Sequence, residues 1–234
     1  MFRFKQFTIE DELCGMKVGT DGVLLGAWAP ADDSSRVLDV GTGSGLIALM
    51  LAQRCPKAKI TAIDIDPSAA QQAAKNFATS PWSERLTAGH CSLQAFASTP
   101  ENNHAYQLIV SNPPYFADSL KNPDAGRKTA RHTDSLSFAE LIDGCCRLLT
   151  DDGTLAFILP ADEEAQLLGL AAQHKLIPYH ITRVRTRTGK PVKRVMIAWS
   201  FKEKDCLTEE LELIDASGTP RSAAYQNLCK EFYL

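Results

Sequence analysis

The sequence has no apolar run of membrane-spanning length, and its first residues alternate apolar and basic side chains unlike a signal peptide. Its seven cysteines are scattered, odd in number and without a C-x-x-C pair, which argues against a disulfide framework and a zinc site. It also has no internal repeats and no low-complexity stretch. We therefore expect a cytoplasmic protein with reduced, mostly buried thiols, no metal and no membrane partner.

An excess of positive charge is also missing. Lys and Arg number 25 against 28 Asp and Glu, so the formal net charge is -3. A nucleic-acid-binding surface must then be a local basic patch and not a property of the whole chain. The 234 residues suffice for one large α/β domain, whereas a second full domain would be cramped.

One apolar stretch ends in an unusual turn. Leu108 to Val110 has the length and β-branched content of a buried parallel strand, and the two prolines that follow Asn112 prevent a strand or helix from continuing. The side-chain oxygen of Asn112 and the carbonyl of Pro113 are suited to accept both hydrogens of a planar NH2 group. The turn comprises Asn112, Pro113, Pro114 and Tyr115.

The chemistry of this turn follows from its acceptors. Acceptors held in place stabilise the positive charge that develops on an attacking amine, while the Tyr115 ring stacks on the plane that carries the amine. The turn therefore predicts group transfer to an aromatic amine or amide nitrogen. The alternative is an ordinary strand-ending turn, because Asn and Pro are common turn residues.

Strands and helices alternate regularly from Arg36 onward. We predict strands at 37–40, 59–63, 85–87, 108–110 and 154–159, and helices at 46–53, 66–78, 92–96, 138–149 and 163–173. The pattern then changes to a hairpin, Tyr179 to Arg187 and Val192 to Phe201. The acidic run Glu209 to Glu212 is interpreted as a solvated face, and a capped helix from Ser222 closes the chain.

A glycine loop follows the first of these strands. Its spacing is Gly41-x-Gly43-x-Gly45, with Asp39 just before it, and differs from the dinucleotide fingerprint G-x-G-x-x-G. An acidic residue disfavours a pyrophosphate at this position but suits a ligand with a positive centre. Asp64, at the end of the next strand, stands where an acid accepts the two hydroxyls of a ribose. One glycine loop alone is weak evidence for a nucleotide cofactor. Its combination with both acids and with the turn at residues 112–115 is strong evidence.

These segments resemble the class I S-adenosylmethionine-dependent methyltransferases. Residues 37–45 look like their first motif, 62–66 like their second, and 112–115 like their amino-methylating motif. The whole chain, including residues 2–7, 17–26 and 232–234, more closely resembles the bacterial tRNA adenine-N6-methyltransferases that act at position 37, beside the anticodon of a valine tRNA.

The resemblance implies a fold class and a cofactor. The fold is α/β and Rossmann-like, with a seven-stranded mostly parallel sheet, a C-terminal antiparallel hairpin and helices on both faces. The cofactor is S-adenosylmethionine, with S-adenosylhomocysteine as product. We expect one domain, 1–234, made of an N-terminal arm and helix (1–34), a cofactor-binding core (35–175), a basic hairpin (176–203) and a C-terminal extension (204–234).

The resemblance also implies cofactor contacts. They are expected at Lys17, Thr20, Asp21, Asp39, Gly41, Gly43, Gly45, Asp64, Ile65 and His90. The chain departs from many relatives after the third strand, where an acid that binds the cofactor's adenine amine is missing. His90, Ser92 or a backbone group is the expected substitute, and a surface or capping histidine is the alternative for His90.

A basic segment predicts the RNA-binding surface. Arg183, Arg185 and Arg187 share one strand face, and no acid lies within residues 183–194. The expected RNA contacts are Arg127, Arg131, Arg183, Arg185, Arg187, Lys190, Lys193 and Arg194, the first two in a mobile loop at 121–132. The alternative is a solvated basic edge that discourages strand pairing.

The hypothesis is therefore methyl transfer to the N6 amine of a flipped adenine in tRNA, by a monomer or weak oligomer. Two enzymatic alternatives stay open. One is N5-methylation of a protein glutamine, against which the arginine row and the absence of a separate N-terminal recognition domain argue. The other is methylation of an amine in ribosomal RNA or DNA. A non-catalytic RNA-binding protein that retains the fold is the alternative from another class.

Overall fold

The computed structural model describes residues 1–31, 36–113, 136–218 and 220–234. The strands are β1 Phe2–Arg3, β2 Thr8–Ile9, β3 Arg36–Val40, β4 Lys59–Asp64, β5 Leu86–His90, β6 Tyr106–Ser111, β7 Leu149–Pro160, β8 Ile177–Arg185, β9 Val192–Ser200 and β10 Leu207–Glu212. The helices are α1 Thr20–Trp28, α2 Leu46–Arg54, α3 Pro67–Ala78, α4 Leu93–Ala97, α5 Phe138–Leu148, α6 Glu164–Gln173 and α7 Ala223–Cys229.

The main sheet has the order β10-β8-β9-β7-β6-β3-β4-β5. Only β9 runs against its neighbours among these described strands, because β10 pairs parallel with β8 while β9 is antiparallel to both β7 and β8. The α/β Rossmann-like class and the antiparallel hairpin are thus confirmed. The expected number of strands was wrong, since the described part of the sheet has eight strands and not seven.

The additional strand is β10, which contains the acidic run interpreted as a solvated face. Its side chains are mostly exposed, so solvation is correct, but its backbone pairs with β8 along its whole length, with Glu210 opposite Arg183 and Glu212 opposite Arg185. A run of like charges has no strand periodicity. It forms a strand here because β8 offers backbone partners and positive charges that lie far away in the sequence.

Two helix layers cover the sheet, and the side-chain alternation of β3 separates them. Val37 packs into the core on the side of α1, α2 and α3, whereas Leu38 and Val40 pack into the core beneath α4, α5 and α6. Asp39 therefore points toward the α2 side together with Val37.

Local capping signals place several helix starts. Asp66 accepts a hydrogen bond from the amide of Ser68 at 2.9 Å and Pro67 occupies the first turn of α3, as the sequence predicts. Ser137 and Glu140 form a reciprocal capping box at the start of α5. None of the helices in the described ranges has both the length and the apolar character needed to cross a membrane.

Candidate active site

The chain reverses its direction of strand addition at β3. From β3 it adds β4 and β5 on one side and then β6 and β7 on the other. The carboxyl ends of β3, β4 and β6 therefore border a crevice, which is where open α/β sheets bind ligands. A pocket of about 900 Å³ lies there, a volume typical of a small-molecule site.

The glycine loop forms the floor of this pocket. Gly41, Gly43 and Gly45 have φ values of +70°, +56° and +83°, a region that glycine adopts without steric cost. A Cβ atom at Gly41 or Gly43 would have no neighbour within 4 Å, so the backbone there faces open space, whereas one at Gly45 would lie 2.5 Å from Phe77. The first two glycines thus leave room for a ligand, and the third allows helix packing.

Asp64 holds the loop from the end of β4. Its Oδ2 accepts a hydrogen bond from the Gly43 amide at 2.9 Å, and its Oδ1 accepts one from the Asp66 amide at 2.9 Å. A carboxylate oxygen accepts more than one hydrogen bond. Because Asp64 also lines the pocket, it retains the capacity to accept hydrogen bonds from ligand hydroxyls.

Asp39 lies behind the loop and is completely buried. Its Oδ2 accepts a hydrogen bond from the Thr42 hydroxyl at 2.6 Å, while its Oδ1 is buried with no hydrogen-bond partner among the described residues. Burial raises the pKa of Asp39 to about 7, against the opposing effect of the Thr42 hydrogen bond. A ligand with a positive charge would stabilise its ionised form.

This burial predicts a pH-dependent stability. The pKa of about 7 in the folded protein lies above the ordinary value of 3.8, so Asp39 contributes stability below about pH 4 that is lost as the pH rises through 7. Asp39→Asn cannot ionise and should lack this loss. The free energy of unfolding of wild type minus that of Asp39→Asn should therefore fall by up to about 4 kcal/mol between pH 4 and 8. Urea denaturation at several pH values measures it, with the exposed Asp151→Asn as control. Parallel pH profiles of wild type and Asp39→Asn would contradict this assignment.

An N-terminal segment covers one side of the pocket. Lys17, Thr20 and Asp21 line it, and their contacts with a cofactor stay a prediction. Asp21 is not free to act alone, because its Oδ2 accepts a hydrogen bond from Arg194 Nε at 2.7 Å. Arg194, expected on an RNA-binding surface, therefore lines the pocket itself.

Asn112 and Pro113, the described part of the turn that follows β6, lie in the pocket. Ser111 donates a hydrogen bond to the Val40 carbonyl at 2.8 Å, which ties the end of β6 to the start of the glycine loop. Asn112 is half-buried, Pro113 is buried, and both line the pocket. The other expected residues of the turn and of the following loop lie outside the described residues, namely Pro114, Tyr115, Arg127 and Arg131.

His90 does not line the pocket in the part of the chain that the structure describes. It ends β5 exposed, with its Nε2 3.1 Å from the carbonyl of Ile65. Ile65, Cys91 and Ser92 line the pocket instead, and Ser92 also caps α4 through the Ala95 amide. His90 therefore stays a prediction as a cofactor contact. Cys91 was not among the residues expected at the site, and its position next to a strand end was its one signal in the sequence.

Three of the expected RNA contacts, on β8 and β9, are paired with carboxylates. Arg183 forms a bidentate pair with Glu164, Arg185 pairs with Glu210, and Arg194 with Asp21. The sequence showed no acid within the segment, but acids from α6, β10 and α1 reach it in the fold. Within the described ranges, the expected contacts that remain exposed are Arg187, Lys190 and Lys193.

The sheet order, the open glycine loop and the two acids define a class: a Rossmann-like methyltransferase. The family model of the methyltransferase small domain matches residues 17–168. A tRNA1(Val) (adenine(37)-N6)-methyltransferase from Bacteroides fragilis is 48% identical over 233 residues, covering all of this chain and 97% of that protein.

Two solved structures share the fold at low identity. One is described as a predicted O-methyltransferase from Agrobacterium tumefaciens, with a TM-score of 0.73, 17% identity and coverage of 91% of this chain and 96% of that chain. The other is the geranyl diphosphate C-methyltransferase of Streptomyces coelicolor in complex with S-adenosyl-L-homocysteine, with a TM-score of 0.54, 14% identity and coverage of 76% and 77%. The chain belongs to the methyltransferase small-domain family, among the tRNA1(Val) (adenine(37)-N6)-methyltransferases.

Proposed function

We propose that the protein transfers the methyl group of S-adenosylmethionine to the N6 amine of adenine 37 in tRNA1(Val). The observation that carries the proposal is the presence of Asn112 and Pro113 in the same pocket as the glycine loop and Asp64. The printed name of the relative with 48% identity supplies the substrate. The pocket supports the chemistry independently of that name.

The pocket residues fit this cofactor. When bound, S-adenosylmethionine supplies an activated methyl group attached to a positively charged sulfur. Asp64 accepts hydrogen bonds from ribose hydroxyls, and the open space above Gly41 and Gly43 admits the ligand to the backbone. Ile65, 59% exposed on the pocket wall, offers apolar area to a base. The amino-acid end is assigned to Lys17, Thr20 and Asp21, and Asp39 supplies negative charge behind the loop.

Asn112 and Pro113 act on the substrate amine. The amide oxygen of Asn112 and the carbonyl of Pro113 each accept one N–H of the adenine amine, which orients the nitrogen lone pair toward the methyl donor. These acceptors also stabilise the positive charge that develops on nitrogen as the new bond forms, and the excess proton leaves to solvent. Burial of Pro113 limits competition from water for these hydrogen bonds.

The adenine must leave its stack before its amine reaches Asn112. We assign the stacking of the flipped base to Tyr115 and phosphate contacts to the exposed cations around the β8–β9 turn, which are Arg187, Lys190 and Lys193. Arg194, held by Asp21 at the pocket wall, is assigned to the flipped nucleotide. Arg127 and Arg131 are proposed to add phosphate contacts. We propose that the protein acts as a monomer or weak oligomer, in the cytoplasm where tRNA is modified.

The acidic strand β10 should reduce RNA binding. Glu210 neutralises Arg185, so Glu210→Gln leaves this cation available to phosphate. We expect tRNA affinity at low salt to rise about threefold and the salt dependence to steepen by somewhat less than one ion. A filter-binding titration at several salt concentrations measures both. Glu101→Gln removes the same charge from an exposed short helix elsewhere, and equal gains in the two variants would contradict a local effect.

The function is tested by incubating labelled S-adenosylmethionine with unmodified tRNA1(Val), with the same tRNA carrying guanine at position 37, with ribosomal RNA and with a release-factor protein. Nucleoside analysis should find N6-methyladenosine in the first RNA alone. Label in the protein substrate would replace the proposal by glutamine methylation. Label in ribosomal RNA would keep the amine chemistry and change the substrate. Failure to bind S-adenosylhomocysteine in calorimetry would indicate a non-catalytic protein.

A further inference from the structure

The pocket wall formed by residues 10–19 has no regular secondary structure. It connects β2 to α1, and Cys14, Lys17 and Val18 are among its pocket-lining residues. At its tip Leu13 is 40% exposed and Met16 is 51% exposed, so the segment buries little apolar area of its own. Its position must therefore depend on specific polar contacts.

The base of this wall is closed by local hydrogen bonds. Lys17 donates from Nζ to the Asp11 carbonyl at 2.7 Å, and the Asp11 carboxylate accepts from the Val18 amide at 3.0 Å. The two ends of the segment are thus joined, in the manner of a compact Ω-loop. A loop closed in this way moves as a unit unless another element holds it.

That other element is α3, through the buried side chain of Asn76. Its Oδ1 accepts a hydrogen bond from the Glu10 amide at 3.1 Å, and its Nδ2 donates to the Glu10 carbonyl at 2.7 Å. The same Nδ2 donates to the Ser44 carbonyl in the glycine loop at 2.8 Å. One amide, 3% exposed, therefore connects the start of the wall to the glycine loop.

Gln72 provides a second contact one helical turn earlier on α3. It is 2% exposed, and its Oε1 accepts a hydrogen bond from the Leu13 amide at 3.3 Å. Residues four apart lie on the same face of a helix, so Gln72 and Asn76 present adjacent amides to the wall. The longer Gln72 bond makes Asn76 the principal anchor.

We propose that Asn76 is a positioning residue that closes the wall of residues 10–19 over the cofactor pocket and couples it to the glycine loop. This inference deepens the proposed function, because it identifies what holds the wall against the methyl donor. Asn76 itself contacts no reacting atom; it acts through Glu10 and Ser44. Loss of the anchor opens the wall and weakens the binding of S-adenosylhomocysteine.

Cys14 reports the state of the wall without any ligand. It is 5% exposed within the segment, and burial raises the pKa of its thiol to about 11. A closed wall thus keeps the thiol covered and protonated, and therefore slow to react with an alkylating reagent. Peptide-resolved mass spectrometry distinguishes its alkylation from that of the other six cysteines.

The test compares Asn76→Ala with wild type and with Asn102→Ala. The control removes a side-chain amide that donates to the Phe96 carbonyl at 3.0 Å, outside the pocket-lining residues. Asn76→Ala removes three hydrogen bonds. We expect Cys14 alkylation without ligand to accelerate about tenfold and the Kd of S-adenosylhomocysteine by calorimetry to rise about tenfold, which is the net effect of about one hydrogen bond. Asn102→Ala should lower Tm without either change.

The inference is overturned if Asn76→Ala lowers Tm while Cys14 alkylation stays at the wild-type rate. If Asn76→Ala does not fold, Gln72→Ala replaces it, with an expected acceleration of about threefold that a purely structural role would not produce. If wild type binds no S-adenosylhomocysteine, the proposed function fails, and the alkylation rates without ligand still decide whether Asn76 closes the wall.

Discussion

Replacing Asn112 by alanine should lower kcat for tRNA methylation by about a hundred- to a thousandfold, the range observed when one preorganised charge-stabilising group is removed from an active site. The physical reason is that the adenine amine loses the acceptor that both orients it and stabilises its developing positive charge. Single-turnover measurements at saturating cofactor and tRNA isolate this step. The Kd of S-adenosylhomocysteine should change by less than about threefold, because the effect is confined to the transition state.

Two further variants, Asn112→Asp and Ser111→Ala, separate the role of Asn112 as a hydrogen-bond acceptor from a structural role of this turn. The aspartate retains an acceptor oxygen and should recover part of the activity. Ser111→Ala removes the hydrogen bond to the Val40 carbonyl and should act mainly on stability. Equal losses in cofactor binding and in methyl transfer for Asn112→Ala would place Asn112 in the pocket architecture and not in the reaction.

Replacing Asp64 by alanine should weaken S-adenosylhomocysteine binding by at least about a hundredfold, because two hydrogen bonds to a charged acceptor are lost. The same change removes the acceptor for the Gly43 amide, so the glycine loop also loses its anchor to β4. Calorimetry measures the affinity, and the kcat at saturating cofactor should fall far less than the affinity.

Asp66→Asn is the matched control for Asp64. It removes a charge from another pocket-lining residue, two positions after Asp64, but retains an oxygen that can cap α3. Its affinity for S-adenosylhomocysteine should stay within about threefold of wild type, since a cap affects helix stability by about 1 kcal/mol and contacts no ribose. Similar losses in both variants would show that pocket charge, and not a specific ribose contact, determines binding.

Short sequence patterns were sufficient to predict most strands and helices of the cofactor-binding core. The glycine spacing, Asp66-Pro67 and the Asn112-Pro113 turn each act through their own backbone and nearest neighbours, so their positions follow from a few consecutive residues. The strand and helix order from Arg36 to Gln173 agrees with the structure to within a few residues, apart from β7, which begins at Leu149 instead of Thr154. Its first residues pair with β6 across an irregularity in register that no local pattern indicates.

The structure differs from the sequence-based predictions where segments distant in the sequence are in contact. The acidic run became β10 because β8 offers it a parallel edge and opposite charges, and Arg194 moved from a surface to the pocket because Asp21 holds it. The resemblance offered His90 as a cofactor contact, with a surface histidine as the alternative, and its exposed ring lies against the Ile65 carbonyl. In each case the deciding partner lies more than 20 residues away.

The sequence by itself determined the residue types on which the proposed chemistry depends: a glycine loop, an acid after the next strand, and an asparagine followed by two prolines. These properties reside in residue types and short spacings. Only the tertiary structure decided which side chains share the pocket, which cations are already paired and how the N-terminal wall is held by Asn76. Those outcomes depend on sheet order and helix packing, which bring together groups that no local pattern relates.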